Sequence, residues 1–147
     1  MGYFKIKLRR SDILFSNYLR TKRRWVCEYC GRVGRDFTGT TIFCKIEVSH
    51  YFSRNHENTR YDEENCRVLC FTCHKKLGGH TRDENGEYDR WMKKLLGEQR
   101  YKLLCLRANT YKQKDEKLAL LYVKQLIKQH DREKIQNPSS NGHYNGS

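Results

Sequence analysis

Apolar residues at helical spacing mark the first element. Leu14, Phe15, Tyr18 and Leu19 fall on one face, which predicts a short helix docked on a core, with Ser11 placed to cap it. Arg20, Lys22, Arg23 and Arg24 follow at its end. They are expected to stay exposed, and phosphate contact is the preferred reading over a solvated stretch that merely suits a helix C-terminus. Three β-prone runs, Thr40 to Phe43, Ile46 to Val48 and Arg67 to Leu69, predict a small hairpin. Asp83-Glu84-Asn85-Gly86-Glu87 reads as a turn, and two or three helices are expected between Tyr88 and His130. Within them Ala119, Tyr122, Val123, Leu126 and Ile127 recur at helical spacing, as a packing face does. From Asn137 to Ser147 the chain is polar, holds its only proline and two glycines, and is expected to be disordered.

Composition limits what this pattern can build. Of 147 residues 37% are hydrophobic, and the mean hydropathy is -0.97, so little apolar material is available for a core and a staple is expected. Thirty Lys and Arg against 17 Asp and Glu give a net charge of +13, the footprint of a polyanion partner. No helix pairs a basic face with a strongly apolar one, so an acidic membrane surface is the weaker alternative. No apolar run approaches the ~18 residues that span a bilayer. The start, MGYFKIKLRRSD, lacks the apolar stretch of a signal peptide, and Ile6 stands where myristoylation needs Ser or Thr. A cytoplasmic protein, in a bacterial or phage-infected cell, without membrane contact is expected.

The chain has seven cysteines, and in a reducing compartment metal binding is a better reading than disulfides. Residues 27 to 80 hold six of them and four of the six histidines. Cys27-Glu28-Tyr29-Cys30 and Cys70-Phe71-Thr72-Cys73 are two C-x2-C turns separated by 39 residues. Two such turns complete the tetrahedral sulfur shell that Zn²⁺ prefers, with no position open to substrate. This zinc is therefore structural, and catalysis must lie elsewhere. Cys66 is expected to pack as a small hydrophobe, with Cys44 and Cys105 unliganded.

Between and just after the knuckles stand Ser49-His50-Tyr51, Asn65 and His74. That His, Asn, His order, flanked by the cysteine pairs, resembles the HNH nucleases, whose fold is a β-hairpin and a helix gripping one catalytic metal. Over roughly residues 20 to 80 the strings Ser49-His50-Tyr51-Phe52-Ser53-Arg54, Arg60-Tyr61-Asp62-Glu63-Glu64-Asn65, Cys70-x2-Cys73 and Gly78-Gly79-His80 are similar to those of the phage NinG (Rap) recombination endonucleases. The resemblance implies His50 as general base, Asn65 as a brace of the loop through backbone hydrogen bonds, and His74 as ligand of a catalytic Mg²⁺ or Mn²⁺. Many HNH enzymes carry Asp or His where this chain has Ser49, so a hydrated ion with few protein ligands is expected. His56, Asp62 and Glu47 are supplementary candidates. Arg54 and Arg60 lie four and ten residues past His50, where a guanidinium could hold phosphate. Cleavage is expected to decline below about pH 6.5, as a histidine of ordinary pKa becomes protonated.

The fold expected is α+β: a small zinc-stapled ββα-metal (HNH) core at 27–82, a basic helical arm at 1–26, a helical region at 83–135 and a tail at 136–147. The leading function is a metal-dependent DNA endonuclease acting on branched or recombination intermediates, in the manner of a Holliday junction resolvase, with room for a homodimer through the C-terminal helices. The alternatives are a general HNH nicking, restriction or packaging nuclease, and a non-catalytic zinc-dependent nucleic-acid-binding module. Only a nuclease accounts for His50, Asn65 and His74 as one set.

Overall fold

In a computed structural model, residues 7–35, 44–78 and 86–138 are described. Helix α1 covers Arg10–Lys22 and buries Phe15, Tyr18 and Leu19, the face its spacing predicts, with Leu14 partly covered. Its start differs from expectation. The cap position is Arg9, whose N–H donates to Asp12 Oδ2 at 2.7 Å, while Ser11 lies inside the first turn with its hydroxyl 2.6 Å from the Tyr61 hydroxyl.

The end of α1 corrects a second expectation. Arg20 lends an N–H to the Ile46 carbonyl (3.3 Å), Lys22 pairs with Glu63 (2.9 Å), and Arg23 pairs with Glu28 (2.7 Å) while donating to the Glu63 carbonyl (2.8 Å). Lys22 and Arg24 are exposed as expected, but Arg20 and Arg23 are half-buried, and Lys22 and Arg23 are engaged because docking the apolar face brings the adjoining turn onto the acid-rich loop before Cys66.

Strands β1 (Ile46–His50) and β2 (Cys66–Cys70) pair antiparallel, Ile46 opposite Cys70 and His50 opposite Cys66. Helix α2 (Phe71–Lys76) follows β2 without a break, giving the expected ββα order. The run Thr40 to Phe43 lies outside the described residues. Side chains alternate along a strand, so Ile46, Val48 and His50 share one face of β1, and Glu47 and Ser49 the other. All of β2 is buried.

Three helices follow: α3 (Glu87–Leu96), α4 (Glu98–Asn109) and α5 (Glu116–Gln136). Gly97, at φ 77, separates α3 from α4, and the Asp115 carboxylate caps α5 by accepting from Leu118 N at 2.9 Å. Helix α5 lies along α1; Val123 is fully buried, Ala119, Leu126 and Ile127 partly so, and Tyr122 is half exposed. One cluster of buried side chains includes Phe15 of α1, Val68 of β2, Leu104 of α4 and Val123 of α5. The turn expected at 83–87 and the tail fall largely outside the described residues. Among the described residues no helix is long and apolar enough to cross a membrane.

A buried ion pair joins α1 to the loop between the strands. The Arg60 guanidinium donates from Nε to Asp12 Oδ1 (2.8 Å) and from Nη2 to Asp12 Oδ2 (2.6 Å), with side-chain exposures of 4% and 2%. Removing one partner of such a pair strands a charge out of water, at a cost of ~3–5 kcal/mol. Asp12→Asn should therefore lose about that much stability in urea denaturation. Lys102→Gln, which breaks only the exposed pair with Glu98, should change it by less than about 1 kcal/mol. Equal effects would remove the buried pair from its structural role.

Candidate functional site

The two C-x2-C turns converge. The ligand atoms of Cys27, Cys30, Cys70 and Cys73 all lie within 4.8 Å of one another. A tetrahedron with Zn–S bonds of ≈ 2.3 Å has edges of about 3.8 Å, and the Cys30 and Cys70 sulfurs are 3.8 Å apart. Local structure builds this. Gly31, at φ 76, turns the first knuckle, whose hairpin closes through Cys27 N–H to Arg32 O and Gly34 N–H to Trp25 O, both 2.8 Å. Gly34 is required for a different reason: a Cβ there would meet Ile46 Cγ1 at 2.0 Å, so the knuckle can lie against β1 only without a side chain.

Thiol chemistry fits a cation. Burial raises the Cys27 and Cys73 thiols. For Cys70 burial is outweighed by the Cys73 N–H at 3.4 Å and by neighbouring thiols, which bring it down to about 7. Four thiolates side by side, three of them buried, repel one another unless a dication neutralises them. The cluster is thus compatible with structural zinc. Cys44 lies beside Cys70 without joining the group of four, and Cys66 is fully buried as expected.

The expected catalytic residues are set around the hairpin and its loop. His50 ends β1, and its Nε2 lies 2.9 Å from the Arg60 carbonyl oxygen. A carbonyl only accepts, so Nε2 carries the proton and Nδ1 keeps the lone pair. Asn65, fully buried, accepts from Phe52 N–H (2.7 Å) and donates to the Phe52 and Thr59 carbonyls (2.9 and 3.0 Å). It ties both ends of the loop that carries Arg60. Burial pushes the His50 imidazole down to about 4, and the Arg54 charge adds to this. The expected change of protonation near pH 6.5 therefore moves down, because the site is drier and more positive than an ordinary histidine's surroundings.

The two arginines diverge. Arg60 is not a free phosphate ligand: it is buried against Asp12, and its remaining Nη1 donates to the Arg54 carbonyl at 3.0 Å. Arg54, by contrast, keeps a buried Nε with no hydrogen-bond partner. Asp12, which sequence reasoning left unassigned, had one legible signal, being the single acid in a 26-residue segment with eight cations.

His74 lies within α2, and its Nδ1 is 2.7 Å from Glu47 Oε2. The carboxylate accepts from Nδ1–H and leaves Nε2 of His74 outside that bond, an arrangement common behind metal-bound histidines. Burial opposes ionisation of Glu47, but His74 and Lys45 hold its carboxyl below the usual range. Strand alternation sets this pair on the opposite face of β1 from His50. Ser49 is buried and accepts from the Tyr88 hydroxyl at 3.0 Å. The other supplementary candidates are engaged elsewhere: His56 Nδ1–H donates to Ala108 O (2.8 Å), and Asp62 pairs with Arg107 (2.8 Å). A cleft of about 690 Å³ between the 57–64 loop and α5 is lined by Glu57, Asp62, Glu63 and Glu64 and by none of the expected catalytic residues.

Two outcomes test this geometry. Cys70→Ser should lose zinc by metal analysis and, with it, cooperative melting, since metal binding of ~10–16 kcal/mol in small zinc peptides is enough to decide folding; a variant that melts like the parent would refute the assignment. In an NMR titration the His50 resonance should have its midpoint near 4. Between that value and the ~6.5 of the unfolded chain only the unfolded state takes up the proton, so stability should fall as pH drops through this window.

Residues 27–80 match the HNH endonuclease family. Comparisons with curated proteins and with solved structures find no match. The matched stretch carries both cysteine turns, the hairpin, α2, His50, Asn65 and His74. The chain therefore has a mixed helix and two-stranded fold with an HNH domain, which points to nuclease activity with DNA as substrate.

Proposed function

We propose that this protein is a metal-dependent DNA endonuclease in which His50 activates the water that attacks a phosphodiester. The observation that carries the reading is the His50 imidazole, held at Nε2 by the Arg60 carbonyl with Nδ1 left free to take a proton. Arg54 stands near enough for its charge to act on the imidazole, suited to stabilise the charge that develops on a phosphoryl oxygen. Asn65 keeps the loop in place. A Mg²⁺ or Mn²⁺ ion, when bound, neutralises charge on the phosphoryl and leaving 3′ oxygens. His74 would hold it through Nε2, with Glu47 as a positioning residue that fixes the ring. His50 ends β1 beside the inter-strand loop, whereas Glu47 lies near the start of the strand on its opposite face, so the hairpin itself does not bring the two histidines together.

Branched or recombination intermediates are the preferred substrate, on the resemblance of the 49–80 segment to the NinG proteins. A general nicking nuclease uses the same residues. A non-catalytic zinc module leaves the Nδ1 of His50 and the Nε of Arg54 without purpose. The test is incubation of the protein with supercoiled plasmid and with a four-way junction, with and without added Mg²⁺ or Mn²⁺. Ion-dependent cutting with preference for the junction is expected; no cutting of either would overturn the nuclease reading.

The pH profile and the ion dependence should separate the two histidines. A base with a pKa of about 4 is neutral above that value, so its protonation should leave cleavage intact down to about pH 4–5. Arg54→Gln removes a positive neighbour, so the acid limb should move up as cutting weakens. A limb that stays in place would detach Arg54 from His50. Glu47→Gln and His74→Ala should need more Mn²⁺ for half-maximal cutting, whereas an unchanged requirement would remove them from metal binding.

A further inference from the structure

Two cations gather on one indole at the first knuckle, on residues given no role above. Arg24 and Trp25 adopt φ of 57 and 56, the left-handed region that side-chain-bearing residues rarely occupy. The turn is held by Arg24 N–H to Thr21 O (3.0 Å), Trp25 N–H to Arg20 O (2.8 Å) and Gly34 N–H to Trp25 O (2.8 Å), and by the bridge between Val26 and Val33. The knuckle hairpin thereby returns Arg35 to the start of its own first strand. The Arg35 guanidinium lies 3.8 Å from the Trp25 ring centroid and that of Arg20 4.7 Å.

Neither arginine makes an ion pair among the described residues, although the Glu47 charge reaches Arg20. Arg35 is exposed, and Arg20 gives one N–H to Ile46 O while its buried Nε has no acceptor. Several other arginines of this chain are paired with carboxylates, Arg9 with Glu57, Arg23 with Glu28, Arg60 with Asp12 and Arg107 with Asp62. Two like charges on one ring repel unless an anion joins them. Stacking on the indole holds each planar fork in place, so little side-chain freedom remains to be lost when a phosphate binds.

We propose that Arg20, Trp25 and Arg35 form a phosphate-binding site for the DNA backbone, separate from the centre that cuts it. The assignment rests on the DNA-directed reading above and adds where the flanking strand is gripped. Arg20 is tied to Ile46, the first residue of β1, whereas His50 is the last. Ile46 and His50 are about 13 Å apart along the strand, which sets this site at the opposite end of β1 from the proposed base. Of the four cations at the end of α1, the site keeps Arg20 and joins it to Arg35 of the knuckle.

The test is the affinity of the full chain for a short fluorescent duplex, measured over a KCl series without added divalent ion. Each neutralised phosphate contributes about -0.9 to the slope of log K against log salt. Arg35→Gln, an exposed position, should weaken binding several-fold and make the slope shallower by about 0.9, and Trp25→Leu should do the same with its zinc content retained. Lys117→Gln, an exposed change on α5, should leave both unchanged. An Arg35→Gln slope equal to the parent's, or an equal loss in Lys117→Gln, would overturn the site. Trp25→Leu that loses zinc is read as a folding defect, and Arg35→Gln then decides alone. The measurement needs no cleavage, so a parent that binds but does not cut would defeat the nuclease reading while the slope comparison still judges this site.

Discussion

Everything in this fold depends on four sulfurs being held in one place. Cys27 and Cys30 come from a hairpin beside α1, and Cys70 and Cys73 from the junction of β2 and α2, yet their ligand atoms lie within 4.8 Å. Only 37% of the residues are hydrophobic, and hydrophobic burial alone is a weak source of stability in so polar a chain. The cluster supplies a long-range constraint that a small core cannot. It also sets direction: Cys70 caps α2 by accepting from Cys73 N–H, and His74 follows in the same turn. The cysteine cluster and the proposed catalytic ligand His74 are thus linked through one short helix.

A second constraint turns that scaffold into a site. Arg60 serves with both its side chain and its backbone. Its guanidinium is buried against Asp12, which pins the inter-strand loop to α1, and its carbonyl accepts from the His50 ring. The same loop is tied down by Asn65 through Phe52 and Thr59. The imidazole is therefore oriented by the chain that also shields it from water, and its lowered pKa is the cost of that shielding. On the proposed reading, a base kept neutral over a wide pH range is weaker at taking a proton, and Arg54 would compensate by stabilising charge.

What was legible in the sequence was whatever is encoded by short spacing. The C-x2-C turns, the ββα order, the buried face of α1 and the packing of Val123 follow from patterns of two to four residues. Interactions set by folding were not legible. Asp12 and Arg60 are 48 residues apart, and no local pattern announces that two of many charges meet in a dry interior. For the same reason Lys22 and Arg23 read as free cations when they close onto Glu63 and Glu28. The Arg35 contact with Trp25 needed the first knuckle to fold back on itself. The His50 pKa was misjudged because burial by residues distant in sequence, not the histidine itself, determines it.

The central claim is that His50, caged by the Arg60 carbonyl, is the base of a DNA-cleaving centre. It is tested most directly by the rate at which purified His50→Ala converts supercoiled plasmid in Mn²⁺, relative to the parent, with zinc content and duplex affinity measured on the same preparation. Loss of a general base lowers rate by ~10²–10⁴. The account predicts a fall of that size with zinc and affinity retained. Undiminished cutting by a zinc-loaded, DNA-binding His50→Ala protein would contradict it.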